Sequence, residues 1–169
     1  MMLRVDSRLP WSMALFSALG LEAAALYFQY GLDLDPCVLC VYQRTAVMGL
    51  AMGGLIGLLA PHIAWLRLLG YLTLGASGVA GVQLALEHVD VQAGLGLGCD
   101  FMANYPAWFQ LDVWLPAVFQ PSGYCDDIKW QFLGLSMPEW MVVVFGVYLL
   151  AVAYALVLEV KGWRDRRPN

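Results

Sequence analysis

The stretch MVVVFGVYLLAVAYALVLEV, residues 141–160, decides the fold of this chain, because Glu159 is its only charged side chain. A helix rises about 1.5 Å per residue, so a run of this length crosses a hydrocarbon core about 30 Å thick. Three more apolar stretches of similar length precede it, at residues 11–30, 41–60 and 64–86. All four are interpreted as helices, because an isolated strand would leave its backbone polar groups unpaired in lipid. The sequence predicts an all-α membrane protein, a four-transmembrane-helix bundle forming one integral membrane domain over residues 1–169.

The composition is typical of a chain that is embedded in a lipid bilayer. Hydrophobic residues make up 61% of it and charged residues only 13%, whereas a soluble domain is about 45–50% apolar and about 25% charged. The net charge is −4. Nucleic acid is therefore not an expected partner, because binding to phosphates needs clustered Lys and Arg.

The basic residues predict the orientation of the bundle. Cytoplasmic loops carry an excess of Lys and Arg. Seven of the nine basic residues lie before the first helix, near the turn between the second and third, or after the fourth: Arg4, Arg8, Arg67, Lys161, Arg164, Arg166 and Arg167. We therefore expect both termini in the cytoplasm and outward loops at residues 31–40 and 87–139. In a bacterial inner membrane these loops face the periplasm, where disulfides persist.

The longer outward loop has two recognisable parts. Residues 94–98 are rich in glycine, which predicts a pliable segment. Residues 107–119 are rich in aromatic side chains that recur near helical spacing, which predicts a short membrane-surface helix broken around Pro116. A buried core within the loop is the alternative interpretation. Residues 122–125 are expected to form a turn that presents Cys125.

All four cysteines fall in the two outward loops. Cys37 and Cys40 form a Cys-x-x-Cys pair at the start of the second helix, where the helix N-terminus favours thiolate over thiol. Arg44 follows Cys40 by four residues, so both can share one helix face. Its expected role is to stabilise an anion, either a thiolate or a reduced quinone oxygen. The alternative is an interfacial arginine paired with lipid phosphate.

The second pair, Cys99 and Cys125, is expected in the same compartment as the first. A thiolate attacks a disulfide through a mixed-disulfide intermediate, so a flexible outer pair could take electrons from a soluble protein. The pair at the membrane could then pass them to an oxidant in the bilayer. Four cysteines allow three pairings, and the spacing does not select one. A structural four-helix membrane protein with two fixed disulfides is the rival interpretation.

A metal centre is not expected. Structural zinc needs four ligands in tetrahedral arrangement. The four cysteines could supply them, but Cys99 and Cys125 are too far apart in sequence to form a second Cys-x-x-Cys. The prediction is that the chain holds no metal.

Two further ionisable residues are candidates for function. His88 lies at the outer end of the third helix, where it could bind a quinone carbonyl or move a proton. A hydrogen-bonded interfacial histidine is the alternative. Glu22 lies in the middle of the first helix, and an ionisable group at that depth is a functional candidate by default. It could equally be a neutral carboxyl hydrogen-bonded between helices.

Across residues 11–160 the chain resembles the disulfide bond formation protein B family, quinone-linked thiol oxidases of the bacterial inner membrane. Five segments carry the resemblance: PCVLCVYQR (36–44), VQLALEH (82–88), CDFM (99–102), SGYC (122–125) and FLGLSMPEW (132–140). A vitamin K epoxide reductase-like enzyme also combines a four-helix bundle with cysteines. The segments around Cys99 and Cys125 argue against that alternative.

The resemblance implies an order of events at the cysteines. Cys99 would be attacked by a soluble DsbA-like oxidase of the thioredoxin fold, which this protein re-oxidises to sustain disulfide bond formation. Cys125 would then attack Cys37, and Cys40 would be the thiolate that meets the quinone.

The resemblance also implies a quinone site. Arg44 would stabilise the charge that develops there, and His88 and Gln92 would line the site. The cofactor implied is ubiquinone or menaquinone.

Overall fold

The computed structural model describes residues 7–96, 99–100 and 102–165, with the side chains of Trp163 and Asp165 left aside. Four helices are long and apolar enough to cross a membrane, which confirms the predicted four-helix membrane fold. Of the basic residues used to predict orientation, Arg4, Arg166 and Arg167 lie outside the described residues. The elements in chain order are α1 (Arg8–Gly31), α2 (Val38–Leu59), α3 (Ala64–Gln92), α4 (Leu111–Trp114), α5 (Pro116–Phe119), β1 (Gln131–Phe132), β2 (Leu135–Ser136) and α6 (Met137–Asp165).

The helices are longer than the apolar stretches predicted. Helix α3 continues to Gln92 instead of ending at residue 86, and α6 begins at Met137 instead of residue 141. Hydropathy marks the part of a helix that lies in lipid, whereas backbone hydrogen bonds continue past the membrane surface. The loop predicted over residues 87–139 therefore starts six residues too early, and His88 and Gln92 lie on a rigid helix.

Helix α2 lies at the centre of the bundle and packs against α1 and α3, while α3 packs against α6. Small residues allow this close approach. A Cβ atom on Gly57 would lie 2.0 Å from the Trp11 ring, and one on Gly81 would lie 2.3 Å from the Phe145 ring. Trp11 and Phe145 are both buried in the main core. Glycines of α2 and α3 thus leave the space that these rings fill between the helices.

At the end of the bundle away from the cysteines, Arg67 joins α3 to α6. Its guanidinium forms an ion pair with Glu159 and donates to the carbonyl oxygen of Pro61 at 2.8 Å. Only 7% of the Arg67 surface is exposed. Partners on two sides offset much of the cost of burying this charge.

The aromatic segment forms two single helical turns, α4 and α5, which confirms the predicted break around Pro116, although the helical part begins only at Leu111. Pro116 is the first residue of α5 and has no N–H with which to continue α4. Leu111 and Phe119 are buried with Val41 of α2, whereas Trp108 is 77% exposed. The segment is thus partly a buried loop core. Its position on the membrane surface stays a prediction.

A small antiparallel hairpin, β1–β2, precedes α6 and was not predicted from the sequence. Leu133 and Gly134 connect its strands, and both have positive φ angles, of 53° and 80°. This is the backbone of the tight turn that favours glycine in two-residue hairpins. The hairpin leads directly into α6.

Candidate functional site

Cys37 and Cys40 lie where α2 begins, as the sequence predicted. Cys37 is the N-cap residue, and its sulfur accepts a hydrogen bond from the Cys40 backbone N–H at 3.2 Å. The two Sγ atoms are 2.7 Å apart, and neither cysteine is in a disulfide. Hydrogen bonding to Cys40 and burial raise the pKa of the Cys37 thiol.

Cys99 and Cys125 are joined by a disulfide across 26 residues. Of the three pairings that the sequence left open, the structure contains this one and a reduced Cys37–Cys40 pair. Cys125 is only 3% exposed and packs in the same buried cluster as Cys37, with Cys99 at the edge of that cluster. The two redox pairs are therefore neighbours.

His88 lies between the two pairs and is 4% exposed. Its Nε2 atom is 3.2 Å from the Cys125 carbonyl oxygen and 3.6 Å from Cys37 Sγ. Its Nδ1 atom is 3.2 Å from Nε2 of Gln43. An amide nitrogen only donates, so Nδ1 accepts from Gln43 and Nε2 carries the proton. These partners fit the alternative of a hydrogen-bonded histidine, and a role of His88 in binding a quinone stays a prediction. Sequence reasoning missed Gln43.

Arg44 is also buried, with 7% of its surface exposed. One of its terminal nitrogens donates to Gln29 Oε1 at 2.6 Å and to the Val118 carbonyl at 2.8 Å, and the other to the Ala25 carbonyl at 3.0 Å. These bonds tie α2 to α1 and to α5. The alternative of a lipid-paired arginine at the interface is therefore wrong. Gln29 was not predicted from the sequence.

A cavity of about 170 Å³ lies between the outer parts of the helices. Five of the predicted site residues border it: Cys37, Cys40, Arg44, His88 and Gln92. Most of the remaining wall is apolar, and its helical part includes Leu21, Ala24, Ala25, Phe28, Val47 and Met141. An apolar pocket with a few convergent polar groups is the usual form of a small-molecule site.

Glu22 borders the same cavity. Both of its carboxylate oxygens are buried, and no described residue forms a hydrogen bond with either of them. The interpretation of Glu22 as an interhelical hydrogen-bonding group is therefore wrong for the part of the chain described. A buried polar group without a partner is costly, which favours a role for Glu22 at the cavity.

Residues 122–125 are docked against residues 35–37, not simply presented by a turn. The backbone N–H groups of Ser122 and Gly123 donate to the Pro36 carbonyl at 2.9 and 3.0 Å. The Ser122 hydroxyl donates to Oδ1 of Asp35 at 3.1 Å. These hydrogen bonds hold Cys125 next to the loop that contains Cys37.

The segment after Cys99 is also fixed on α2. The Asn104 N–H donates to the Tyr42 hydroxyl at 2.6 Å, and the hydroxyls of Tyr105 and Thr45 are 2.5 Å apart. Burial raises the pKa of Tyr105 to about 12, so its hydroxyl stays protonated. Sequence reasoning missed these contacts, because nothing in the local pattern of residues 102–109 identifies α2 as their neighbour.

Three side chains place potential metal ligands close together. One donor atom each from Cys37, Cys40 and His88 lies within 4.8 Å of the others. Such a set suits a soft cation, but structural zinc takes four ligands. The expectation that the chain holds no metal stays a prediction.

Residues 7–155 match the family model of the disulfide bond formation protein DsbB. The chain belongs to the DsbB family. Its relatives in this family include a disulfide bond formation protein B of Shewanella amazonensis, 52% identical over 147 residues that cover 86% of this chain and 87% of the relative. The protein of that name from Psychromonas ingrahamii is 46% identical, covering 94% and 89%. The one from Pasteurella multocida is 44% identical, covering 95% and 91%.

Membership of the DsbB family and the four long apolar helices establish a multi-pass membrane protein of disulfide bond formation. Its chemistry is that of a disulfide-forming oxidoreductase. The family match decides against a vitamin K epoxide reductase-like enzyme. Family membership likewise favours a disulfide-forming oxidoreductase over a structural protein with two fixed disulfides.

Proposed function

We propose that the protein is a thiol:quinone oxidoreductase of the bacterial inner membrane, with both termini in the cytoplasm and its cysteines facing the periplasm. It would re-oxidise a soluble DsbA-like oxidase and pass the electrons to ubiquinone or menaquinone. One observation carries this proposal. The two cysteine pairs share a buried cluster, and Cys40 of that cluster borders an apolar cavity.

Electrons would enter at the Cys99–Cys125 disulfide. Cys125 is buried, whereas Cys99 is partly exposed, so a partner thiolate reaches the Cys99 sulfur more readily. Its attack forms a mixed disulfide with Cys99 and releases Cys125 as a thiolate. The second thiol of the partner then breaks the mixed disulfide. The partner leaves oxidised, and Cys99 and Cys125 are both reduced.

Electrons would leave at Cys40. Cys40 lies in the first turn of α2 and borders the cavity, and the helix N-terminus favours its thiolate. Arg44 borders the same cavity, and its fixed positive charge favours an anion there. Glu22, His88 and Gln92 add polar groups to a wall that is otherwise largely apolar. These residues fit a flat ring with two carbonyl groups.

A quinone bound there would supply a two-electron acceptor, and the reaction would leave Cys37 and Cys40 as a disulfide. Among the protein groups, Cys37 gives up its thiol proton and Arg44 holds the anionic sulfur in place. His88 keeps Cys125 close for the next transfer.

The test is anaerobic mixing of the purified protein with a reduced DsbA-like partner and a soluble quinone analogue, followed by quinone absorbance. Cys40→Ser should abolish quinone reduction while Cys99 is still captured by the partner. A reduced partner whose second cysteine is replaced by alanine should accumulate as an adduct with Cys99 on a non-reducing gel, because nothing then breaks the mixed disulfide. Unchanged turnover of Cys40→Ser would remove that residue from the mechanism, and an adduct that still forms in Cys99→Ser would contradict the order.

The proposed orientation has its own test. A membrane-impermeant thiol reagent should label the reduced cysteines in cells whose outer membrane has been made permeable and whose inner membrane is intact. Labelling of either pair only after the inner membrane is broken would place that pair in the cytoplasm and contradict the proposal.

A further inference from the structure

The contact between residues 122–125 and residues 35–37, here called the loop clasp, joins the two cysteine-bearing loops directly. Two backbone N–H groups of the later loop converge on one carbonyl oxygen, that of Pro36. The Ser122–Asp35 hydrogen bond adds a side-chain contact. Pro36 immediately precedes Cys37, and Gly123 lies two residues before Cys125. The clasp therefore acts on the residues next to both sulfurs.

Gly123 makes the clasp possible. A Cβ atom at this position would lie 2.4 Å from the Asp35 carbonyl oxygen and 3.1 Å from its carbonyl carbon. Both are backbone atoms, so a rotamer change cannot relieve the contact. Any larger residue would push the two loops apart and lengthen the hydrogen bonds to Pro36.

His88 supports the clasp from the opposite side. It sits on the last turns of α3, a continuous helix that the loops cannot easily move. Its Nε2–H donates to the Cys125 carbonyl, so Cys125 is held by the clasp before it in sequence and by a helix beside it. The Cys125 side chain is 3% exposed as a result.

We propose that the loop clasp is a positioning device for electron transfer between the two cysteine pairs, with Gly123 as its determining residue. This inference rests on the proposed function, in which the reduced outer pair must reach an oxidised Cys37–Cys40 pair. In this role the clasp residues act by holding Cys125 beside Cys37.

The transfer consists of two exchange steps. The Cys125 thiolate attacks the Cys37 sulfur, so that a Cys37–Cys125 bond forms, the Cys37–Cys40 bond breaks and Cys40 leaves as a thiolate. The Cys99 thiolate then attacks the Cys125 sulfur, restoring Cys99–Cys125 and releasing Cys37, which takes up a proton. One electron pair has moved from the outer pair to the inner pair. The state reached is the one that the structure contains.

Positioning matters because exchange requires the attacking sulfur to lie close to the bond that breaks. A tether alone gives an effective concentration in the millimolar range, whereas a displacement of about 1 Å from an oriented geometry can slow a reaction about 100-fold. Once their disulfide is reduced, Cys99 and Cys125 are connected only by 26 residues of chain. Without the clasp, this length of chain would let Cys125 move away from Cys37.

The experiment uses the full-length protein carrying Cys40→Ser, without partner or quinone. Cys37, Cys99 and Cys125 then share one disulfide, and the ratio of Cys37–Cys125 to Cys99–Cys125 is measured after equilibration in a glutathione buffer. The readout is mass spectrometry of non-reduced peptides after acid quenching. Gly123→Ala should lower this ratio at least about tenfold, because separation of the two loops lowers the effective concentration of Cys125 at Cys37. Ser122→Ala should lower it about two- to tenfold, the usual net effect of one hydrogen bond.

Gly146→Ala in the same background is the matched control, because no heavy atom lies within 4 Å of a Cβ at that position. Its ratio should equal that of the parent. If Gly123→Ala does not fold, as judged by its thermal melt, Ser122→Ala decides the outcome. A ratio unchanged from the parent in every folded clasp variant overturns the proposal. Because quinone is absent, failure to reduce quinone in a separate assay would reject the proposed function without affecting this ratio.

Discussion

His88 and Cys125 are joined by a hydrogen bond of 3.2 Å from the imidazole Nε2 to the backbone carbonyl oxygen. The same Nε2 lies 3.6 Å from the Cys37 sulfur. One histidine on α3 therefore contacts both cysteine pairs, although 51 positions separate it from Cys37 and 37 from Cys125. The imidazole fixes how closely the two pairs approach.

His88→Phe should slow electron transfer from the outer pair to the inner pair. The ring would fill the space but leave the buried Cys125 carbonyl without its donor, at a cost of about 1–3 kcal/mol in the free energy of unfolding. His88→Gln offers an amide N–H to the same carbonyl. It should therefore lose less of the transfer rate and less of the stability than His88→Phe. Thiol alkylation after rapid quenching measures the transfer, and thermal melting measures stability. Equal transfer rates in His88→Phe and the parent would contradict this role.

Arg44→Ala should raise the quinone KM and lower the melting temperature together. The substitution removes the positive charge at the cavity and the donor to three part-buried acceptors, on Gln29, Val118 and Ala25. Arg44→Lys keeps the charge but cannot reproduce the planar fork of donors. Arg44→Lys should therefore keep a quinone KM close to that of the parent while its melting temperature is lowered. An effect of Arg44→Ala confined to expression level would contradict a role at the cavity.

Glu22→Leu should stabilise the protein and impair quinone reduction. Leucine is close in size and removes two buried oxygens that have no hydrogen-bonding partner among the described residues. Removal of one buried polar group without a partner raises the free energy of unfolding by about 1–3 kcal/mol. Glu22→Gln, which keeps a polar group at the cavity, is the matched comparison and should reduce quinone faster than Glu22→Leu. A lower melting temperature for Glu22→Leu in detergent would show that the carboxyl contributes to packing instead.

Gly57→Ala should destabilise the bundle without changing the redox chemistry. The new methyl group would lie 2.0 Å from the Trp11 ring between α1 and α2, and overpacking of this kind costs about 1–3 kcal/mol. Gly20→Ala on α1 is the control, because no heavy atom lies within 4 Å of its Cβ. Thermal melting in detergent compares the two variants. Equal melting temperatures would contradict the close helix contact at Gly57.

The sequence predicted the four helices because apolar length is a local property, but it misplaced their outer ends. Helix α3 carries Glu87, His88 and Asp90 beyond the apolar stretch. Polar residues leave the hydrocarbon region without ending a helix. The hairpin turn at Leu133 and Gly134, where both φ angles are positive, was also missed. The two short strands that it joins lack a strong alternating pattern.

Sequence and family resemblance also selected the candidate site. Cys-x-x-Cys with Arg44 one turn later is a local arrangement, and the structure places both at one cavity. The roles of the chosen residues stay predictions. The partners of Arg44 and His88 could not be predicted, since Gln29, Gln43 and Val118 become their neighbours only when distant segments pack together.

By itself the amino-acid sequence determined that the chain enters a membrane and carries two separable cysteine pairs, because hydropathy and residue spacing act over a few helical turns. Only the tertiary structure decided that Cys99 bonds to Cys125 and that Cys125 packs beside Cys37. Contacts between loops more than 80 residues apart, such as Asp35 with Ser122, depend on the path of the whole chain. No local sequence pattern encodes that path. It is determined by the packing of α2 against its neighbours.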